Sequence, residues 1–172
     1  DENVVHVDGS VDPVRDKEII DTELIFKDIE TVEKRLEKLR RQAKSADKEA
    51  VRAVAISNKV LAHLEAGQPA RTLEIASDEQ ALIDSLWLLT AKPVLYICNV
   101  DEDSVNDGNA HTRAFREAVR EENAEVILIC ADIEAQIIEL EDPQERREFL
   151  EAMGLEEPGV NKVIRGAYRL LK

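Results

Sequence analysis

The 172 residues of the chain provide for one domain of ordinary size, or for one core with a protruding appendage. Hydrophobic residues make up 44% of the sequence and aromatic residues only 3%, so any core is built mainly from Leu, Ile, Val and Ala. The formal net charge of −14 excludes general binding of nucleic acid or anionic lipid by the whole surface. Only a local basic patch remains available for such a partner.

The sequence gives no indication of a membrane span or of a disulfide-rich secreted protein. No stretch approaches the roughly 20 consecutive apolar residues of a spanning helix, and no signal peptide is recognisable. Cys98 and Cys130 end apolar runs and lack the spacing of a Cys/His metal site. We therefore expect buried free thiols in a cytoplasmic protein without a membrane partner. Because the chain begins with Asp1, we expect an internal segment of a longer protein.

The first half of the chain predicts two consecutive long helices. Asp12 and Pro13 form a favourable helix start, and Gly67-Gln68-Pro69 forms a stop. Ser45-Ala46-Asp47 separates the helices, with Asp47 as the second N-cap. Apolar seams recur every three or four residues, at Ile25, Ile29, Val32, Leu36, Leu39 and Ala43 and then at Ala50, Val54, Ser57, Leu61 and Leu64. Facing seams and a short joint predict a projecting antiparallel coiled-coil hairpin, about 45 Å long.

The second half predicts a mixed α/β arrangement. A helix is expected over 78–89, with Trp87 packing it against a sheet. The apolar runs PVLYICNV (93–100) and EVILIC (125–130) are typical of strands that are buried on both faces. Further helices are expected at 111–121, 133–140, 143–153 and 160–171. The order of strands and helices indicates a βαβ unit with a parallel sheet.

Two short motifs follow the predicted strands, where ligands bind in doubly wound sheets. Asn99-Val100-Asp101-Glu102 resembles the NKxD loop of P-loop GTPases, and Cys130-Ala131-Asp132 resembles their S/C-A-K loop. In those loops a carboxylate accepts hydrogen bonds from guanine, an Asn braces the loops, and a backbone amide meets the base oxygen. Here Val100 replaces the Lys and Glu102 replaces the Asp. Because adenine has a donor where guanine has an acceptor, this NxxE form is expected to lose guanine selectivity.

The resemblance extends far beyond the two motifs. The segments ENVVHVDGSVDP, IIDTELIFKDIETVEKRLEKLRRQAK, TAKPVLYICNVDED and LEEPGVNKVIRGAYRLL resemble those of YchF-type Obg-like ATPases, in the same order. The resemblance implies an α/β fold, namely the C-terminal part of an Obg-type P-loop NTPase parallel-sheet domain with an inserted antiparallel helical hairpin. The nucleotide-binding part is then expected at 1–20 and 70–172, and the hairpin arm at 21–69.

The resemblance also implies a function for the full-length protein. YchF proteins hydrolyse ATP with Mg²⁺, associate with ribosomes and carry a C-terminal TGS domain. By residue match, the base site would comprise Asn99, Val100, Glu102, Cys130, Ala131 and Asp132, with the role of the Asp132 side chain left open. The sequence contains no GxxxxGK[ST] and no DxxG motif. We therefore expect no catalytic residues or Mg²⁺ ligands here, and neither hydrolysis nor strong nucleotide binding by this segment alone. A monomer is expected.

One segment is locally basic, in contrast to the negative net charge of the chain. It comprises Lys34, Arg35, Lys38, Arg40, Arg41 and Lys44. It is either a contact surface for ribosomal RNA or a solvated helix face paired with Glu30, Glu33 and Glu37 at i,i+4. In the first case the arm is a binding module for the ribosome, RNA or a protein partner, and the nucleotide site acts as a switch. A third alternative is a purely structural helical protein, which a parallel sheet would exclude.

Overall fold

The computed structural model of the chain describes residues 10–43, 47–122 and 124–171. The chain divides into two compact units, one formed by Asp1–Val14 with Val94–Lys172 and the other by Arg15–Pro93. The second unit is wider than the predicted arm of 21–69, because it also contains residues 70–93. The assignment of a nucleotide-binding role to 1–20 and 70–172, and of an arm role to 21–69, stays a prediction.

The second unit is built around two helices, α1 (Pro13–Ala43) and α2 (Lys48–Glu65). The predicted helix start at Pro13 is confirmed. Asp47 is the N-cap of α2, as predicted, and its Oδ1 accepts hydrogen bonds from the amides of Glu49 (2.9 Å) and Ala50 (3.4 Å). The predicted break at Ser45-Ala46 and the basic residue Lys44 lie outside the described residues.

The apolar seams of α1 and α2 both follow the predicted spacing in part, since Ile29 and Ala43 of α1 are only partly buried. The buried side chains of α1 include Ile25, Val32, Leu36 and Leu39. On α2, Ile56 and Val60 are buried, whereas the predicted Val54 and Leu61 are only partly buried. The reason is that α2 shares its core both with α1 and with the segment that follows it, through Ala70, Ile83, Leu86 and Leu88.

A buried aspartate joins α1 to this following segment. Asp28 is only 1% exposed, and its carboxylate accepts hydrogen bonds from the amides of Leu89 (2.7 Å) and Thr90 (2.8 Å) and from the Thr90 hydroxyl (2.7 Å). The Thr90 Oγ1 in turn accepts a hydrogen bond from the amide of Ala70 at 2.9 Å. These bonds make residues 70–90 part of the second unit, Arg15–Pro93, which is called the helical unit below.

The predicted helix over 78–89 is wrong in length. Its helical part is the five-residue α3 (Gln80–Asp84). A helix that reached Leu89 would need the Leu89 amide for its backbone ladder, but Asp28 binds that amide. The amides of Leu86 and Trp87 already bond only three residues back, to Ile83 and Asp84. Trp87 takes a left-handed conformation (φ 53°), and its side chain is 84% exposed. The prediction that Trp87 packs on the sheet is therefore wrong.

The first unit contains a parallel sheet of β1 (Leu95–Asn99) and β2 (Glu125–Ile129), paired from Leu95 with Glu125 to Asn99 with Ile129. This excludes the purely helical alternative. The helix α4 (Ala110–Ala118) covers one face, where the rings of Tyr96 and Phe115 meet edge to face at 5.0 Å. Since side chains alternate along a strand, Leu95 and Ile127 lie on the opposite face.

Helix α7 (Gly159–Leu170) covers this opposite face, where a Cβ on Gly166 would lie 3.0 Å from Ile127 Cδ1. Between β2 and α7 the chain forms α5 (Ala131–Glu139) and α6 (Pro143–Ala152). Ile127 and Leu128 of β2 are buried, but Ile97 of β1 is 47% exposed. The expectation that both strands are buried on both faces is wrong for β1, because α7 lies mainly over β2. None of the helices in the described ranges is both long and apolar enough to cross a membrane.

Candidate functional site at the carboxyl ends of the strands

The two predicted turns begin side by side at the carboxyl edge of the sheet. Asn99 and Ile129 are paired at the last register position of the strands. One residue further on, the amide of Val100 donates a hydrogen bond to the Ile129 carbonyl at 2.8 Å. The parallel pairing therefore brings the chain after β1 and the chain after β2 to the same edge.

A direct hydrogen bond joins the two turns. The Asn99 Oδ1 accepts a hydrogen bond from the backbone amide of Ala131 at 3.0 Å, across 32 residues of sequence. The Asn99 side chain is exposed, and Ala131 opens α5, where the first backbone amides have no partner within the helix. Asn99 therefore braces the second turn by satisfying one of these amides.

The acidic residues of the first turn are held in separate ways. Asp101 is the N-cap of the 3₁₀ turn Glu102–Ser104, and its Oδ1 accepts a hydrogen bond from the Ser104 amide at 2.9 Å. Hydrogen bonding by Ser104, chiefly by its side chain and to a lesser extent by its backbone amide, keeps the pKa of the Asp101 carboxyl below its usual value. The Glu102 Oε1 accepts a hydrogen bond from Gln136 Nε2 at 3.1 Å. Asp101 therefore shapes the turn, whereas the exposed Glu102 carboxylate is bound to Gln136.

Gln136 was missed by the sequence analysis. It lies on α5 four residues after Asp132, one helical turn further on and on the same face of the helix. That i,i+4 spacing is the signal that could have indicated it. Its effect is to hold the longer Glu102 side chain beside α5, the helix that follows the second turn.

The Val100 side chain is buried in the core and does not face the turn. It is 6% exposed and belongs to the same core cluster as Cys130 (1%) and Ile133 (0%). A hydrophobic side chain directed inward cannot stack along a base as the Lys of NKxD does. The Val100 amide is bound to Ile129, whereas its carbonyl accepts no hydrogen bond from the described residues. The backbone carbonyl is therefore the group that Val100 offers to a ligand.

The second turn leads directly into α5. Cys130 occupies the N-cap position without a side-chain hydrogen bond, and Asp132 is exposed in the first turn of the helix. A carboxylate is favourable there because the helix dipole is positive at this end. The neighbouring Glu134 accepts hydrogen bonds from the amides of Gly159 (2.6 Å) and Val160 (3.2 Å), and so connects the start of α7 to the site.

The two cysteines are free thiols, as predicted. Cys130 is buried and Cys98 is partly buried, and burial raises the pKa of the Cys98 thiol. A raised pKa keeps this thiol protonated near neutral pH, so it behaves as an apolar core group.

The cavity beside the first turn is small. Asn99 and Val100 line a cavity of about 240 Å³ together with Asn109 and His111. That volume is below the range of about 300–1,000 Å³ typical of small-molecule sites. Within the described ranges, no group of three or more His, Cys, Asp or Glu side chains could hold a metal ion.

In the basic segment of the sequence, Lys34, Arg35, Lys38, Arg40 and Arg41 are exposed, and Lys44 lies outside the described residues. Lys34 lies 3.8 Å from Glu30, as the i,i+4 alternative predicts, and Arg40 donates a hydrogen bond to Asn58 at 3.3 Å. Arg35, Lys38 and Arg41 form no ion pair with the described residues. A groove beside residues 85 and 86 is lined by Lys34, Arg35 and Lys38. Of these three cations only Lys34 has a described carboxylate within ion-pair distance, so carboxylates neutralise only part of this surface.

Along almost its whole length the chain is similar to YchF proteins. It is 46% identical to the ribosome-binding ATPase YchF of Bacillus subtilis, over 99% of this chain and 47% of that protein. The protein of the same name from Escherichia coli O157:H7 is 42% identical, over 99% of this chain and 46% of that protein. The solved structure of the Schizosaccharomyces pombe YchF GTPase matches with a TM-score of 0.87 and 32% identity, over 99% of this chain and 47% of that one. No protein-family model matches the chain.

The flanked parallel strands, the joined turns and the structural match define the C-terminal part of an Obg-type P-loop nucleotide-binding domain with an inserted helical hairpin. Because the sequence identity extends over 99% of the chain, it shows the family as well as the fold class. The chain belongs to the YchF family, which confirms the resemblance found in the sequence. It spans about half the length of the curated relatives it matches.

Proposed function

We propose that this chain supplies the base-recognition turns of a ribosome-associated, cytoplasmic protein that, at full length, binds ATP in preference to GTP and hydrolyses it with Mg²⁺. The names of the relatives, ribosome-binding ATPases, support this proposal. The observation that carries it is the hydrogen bond from the Ala131 amide to Asn99 Oδ1, which joins the turns after two neighbouring parallel strands. Ligands of doubly wound sheets bind at this edge.

The proposed preference for adenine follows from which backbone group of Val100 remains available to bind a base. The Val100 amide already donates to Ile129, so it cannot donate to a base. The Val100 carbonyl is an acceptor, which matches the exocyclic amine of adenine and faces the O6 of guanine unfavourably. Glu102, held by Gln136, is displaced by one methylene from the position of the Asp that pairs with guanine.

The chain's own residues would hold and orient the base. A bound Mg²⁺ ion would supply charge neutralisation at the phosphates, and the described residues contain no cluster of ligands for it. Phosphate binding and hydrolysis are therefore attributed to the part of the full-length protein beyond this chain. For this segment alone we predict weak nucleotide binding.

A purine series on the full-length protein tests the selectivity. Inosine triphosphate has the O6 oxygen of GTP but lacks its 2-amine. We expect ATP to bind about tenfold more tightly than both GTP and inosine triphosphate, because either of the latter sets O6 against the Val100 carbonyl. Equilibrium titration with each nucleotide, at the same Mg²⁺ concentration, measures this. Equal affinity for ATP and inosine triphosphate would show that the Val100 carbonyl does not select the base.

The arm is a second candidate for the surface that binds the ribosome, because several of its cations form no ion pair with the described residues. Changing Lys38, Arg40 and Arg41 to Glu is expected to weaken ribosome co-sedimentation at least about tenfold, because phosphate contacts of cations dominate such binding. A matched control changes Lys92, Arg113 and Arg120 to Glu, which alters the net charge equally. Unchanged co-sedimentation of the arm variant at low salt, or an equal loss in the control, would reject a specific arm contact.

A further inference from the structure

The only tryptophan in the sequence, Trp87, is displayed on the surface of the helical unit. Its side chain is 84% exposed, while its neighbours Leu86 and Leu88 are 7% and 2% exposed. Large aromatic side chains usually contribute most of their area to cores and interfaces. A tryptophan presented between two buried leucines is therefore positioned for a partner.

The backbone at Trp87 is held in an unusual conformation. Its φ of 53° is a left-handed value that bulky residues rarely adopt. The turn is fixed on both sides, since the Trp87 amide donates to the Asp84 carbonyl at 3.1 Å and Asp28 binds the amides of Leu89 and Thr90. Backbone strain of this kind persists where the surrounding structure enforces it, and it is found at ligand-binding sites.

A basic groove lies next to this turn. Three cations of α1, Lys34, Arg35 and Lys38, line a cavity of about 160 Å³ together with Ser85 and Leu86, and Leu86 directly precedes Trp87. Arg35 and Lys38 form no ion pair with the described residues, and the nearest carboxylate to Lys34 is 3.8 Å away. The groove is therefore a local cationic site in a chain with a net charge of −14.

The combination matches the chemistry of a nucleotide that is not base-paired. Its flat base can stack on an exposed indole, and its phosphate can lie among cations, as in single-strand binding sites. Paired bases stack on each other and leave no free face. We propose that Trp87 and the groove of Lys34, Arg35 and Lys38 bind an unpaired nucleotide of RNA. The proposal rests on the proposed contact between the arm and the ribosome, and identifies the kind of RNA that the arm would bind together with the Trp87 turn.

An anionic membrane surface would also attract tryptophan and cations. It is disfavoured here because a planar bilayer would meet a wide area of this acidic surface, whereas a single strand meets only the groove. Anionic vesicles are therefore the competing probe in the experiment.

Trp87 is its own reporter, because its fluorescence is the only tryptophan emission of the 172-residue chain. At low salt we expect a single-stranded oligoribonucleotide of about ten nucleotides to quench this emission, and a duplex of the same length to quench it much less. With labelled RNA and anisotropy as the readout, Trp87→Ala is expected to bind about five- to hundredfold more weakly, and Trp87→Phe to retain most of the affinity. Tyr168→Ala, which removes a 69% exposed aromatic ring elsewhere, should bind as the unchanged chain does.

The outcomes separate this inference from the arm contact on which it rests. If Trp87→Ala binds RNA normally while changing Lys34, Arg35 and Lys38 to Glu abolishes binding, the arm contact stands and the role of Trp87 is wrong. If neither change affects binding, both are wrong. Quenching by anionic vesicles but not by single-stranded RNA would also overturn the proposal. Circular dichroism of each variant confirms that the exposed side chain was removed without unfolding the chain.

Discussion

Replacing Asp28 by Asn is expected to lower the free energy of unfolding of the helical unit by about 3 kcal/mol. The carboxylate accepts three hydrogen bonds, two from backbone amides and one from the Thr90 hydroxyl, and it is 1% exposed. An amide has only one acceptor oxygen, so its NH₂ group would face a donor inside the core. Buried donors left without partners account for most of the expected loss.

Urea denaturation measures this loss, and hydrogen exchange localises it. The amides of Leu89 and Thr90 should exchange much faster in the Asp28→Asn variant, because their acceptor is lost. Glu23→Gln is a matched control, since it makes the same carboxylate-to-amide change at an exposed position of α1. Equal stability of the Asp28 variant and the control would show that the buried hydrogen bonds do not hold this unit together.

Replacing Asn99 by Ala in the full-length protein is expected to lower ATP affinity by about tenfold or more. The change removes the acceptor for the Ala131 amide and thereby uncouples the turn after β1 from the turn after β2. A base held between two turns loses affinity when their spacing is no longer fixed, and a net hydrogen bond alone is worth about 1 kcal/mol. The preference for ATP over GTP should fall together with the affinity.

Two further variants distinguish the role of Asn99 from a general effect. Asn99→Asp keeps an oxygen in the position that accepts from Ala131, so the turns should stay joined and the fold should be retained. Asn106→Ala is a control, because the Asn106 amide donates to the Met153 carbonyl and not to the second turn. ATP affinity and preference that are unchanged in Asn99→Ala would remove Asn99 from the base site.

Local chemistry made several features predictable from sequence. Asp47 is recognisable as an N-cap because its side chain binds amides only two and three residues away. The joined turns are also predictable, because an apolar strand followed by a polar motif occurs twice and parallel strands end at a common edge. In both cases the deciding interactions are local or follow from the topology.

Interactions between distant residues account for what the sequence did not predict. Asp28 occurs in an amphipathic helix where carboxylates are usually solvated, and its partners are 61 and 62 residues away. One of these bonds takes the Leu89 amide, which the last turn of the predicted helix over 78–89 would need; the observed helix ends at Asp84, and Trp87 is exposed. Periodicity alone could not reveal that a side chain from α1 would bind an amide of this helix.

The candidate site likewise combines features that the local sequence predicts with features that depend on distant residues. Asn99 and Glu102 follow from a motif, whereas the inward orientation of Val100 depends on the core formed with Cys130 and Ile133. The support of Glu102 by Gln136 depends on how α5 begins after the second turn. Neither is encoded in the spacing of the NxxE motif itself.

A crystal structure of the full-length protein with a non-hydrolysable ATP analogue tests the central claim most directly. The account predicts that the adenine lies between the turns after β1 and β2, with its exocyclic amine about 3 Å from the Val100 carbonyl. The Asn99 Oδ1 should still accept from the Ala131 amide. An adenine bound away from both turns, or a bound state in which the Asn99 bond is broken, would contradict the account.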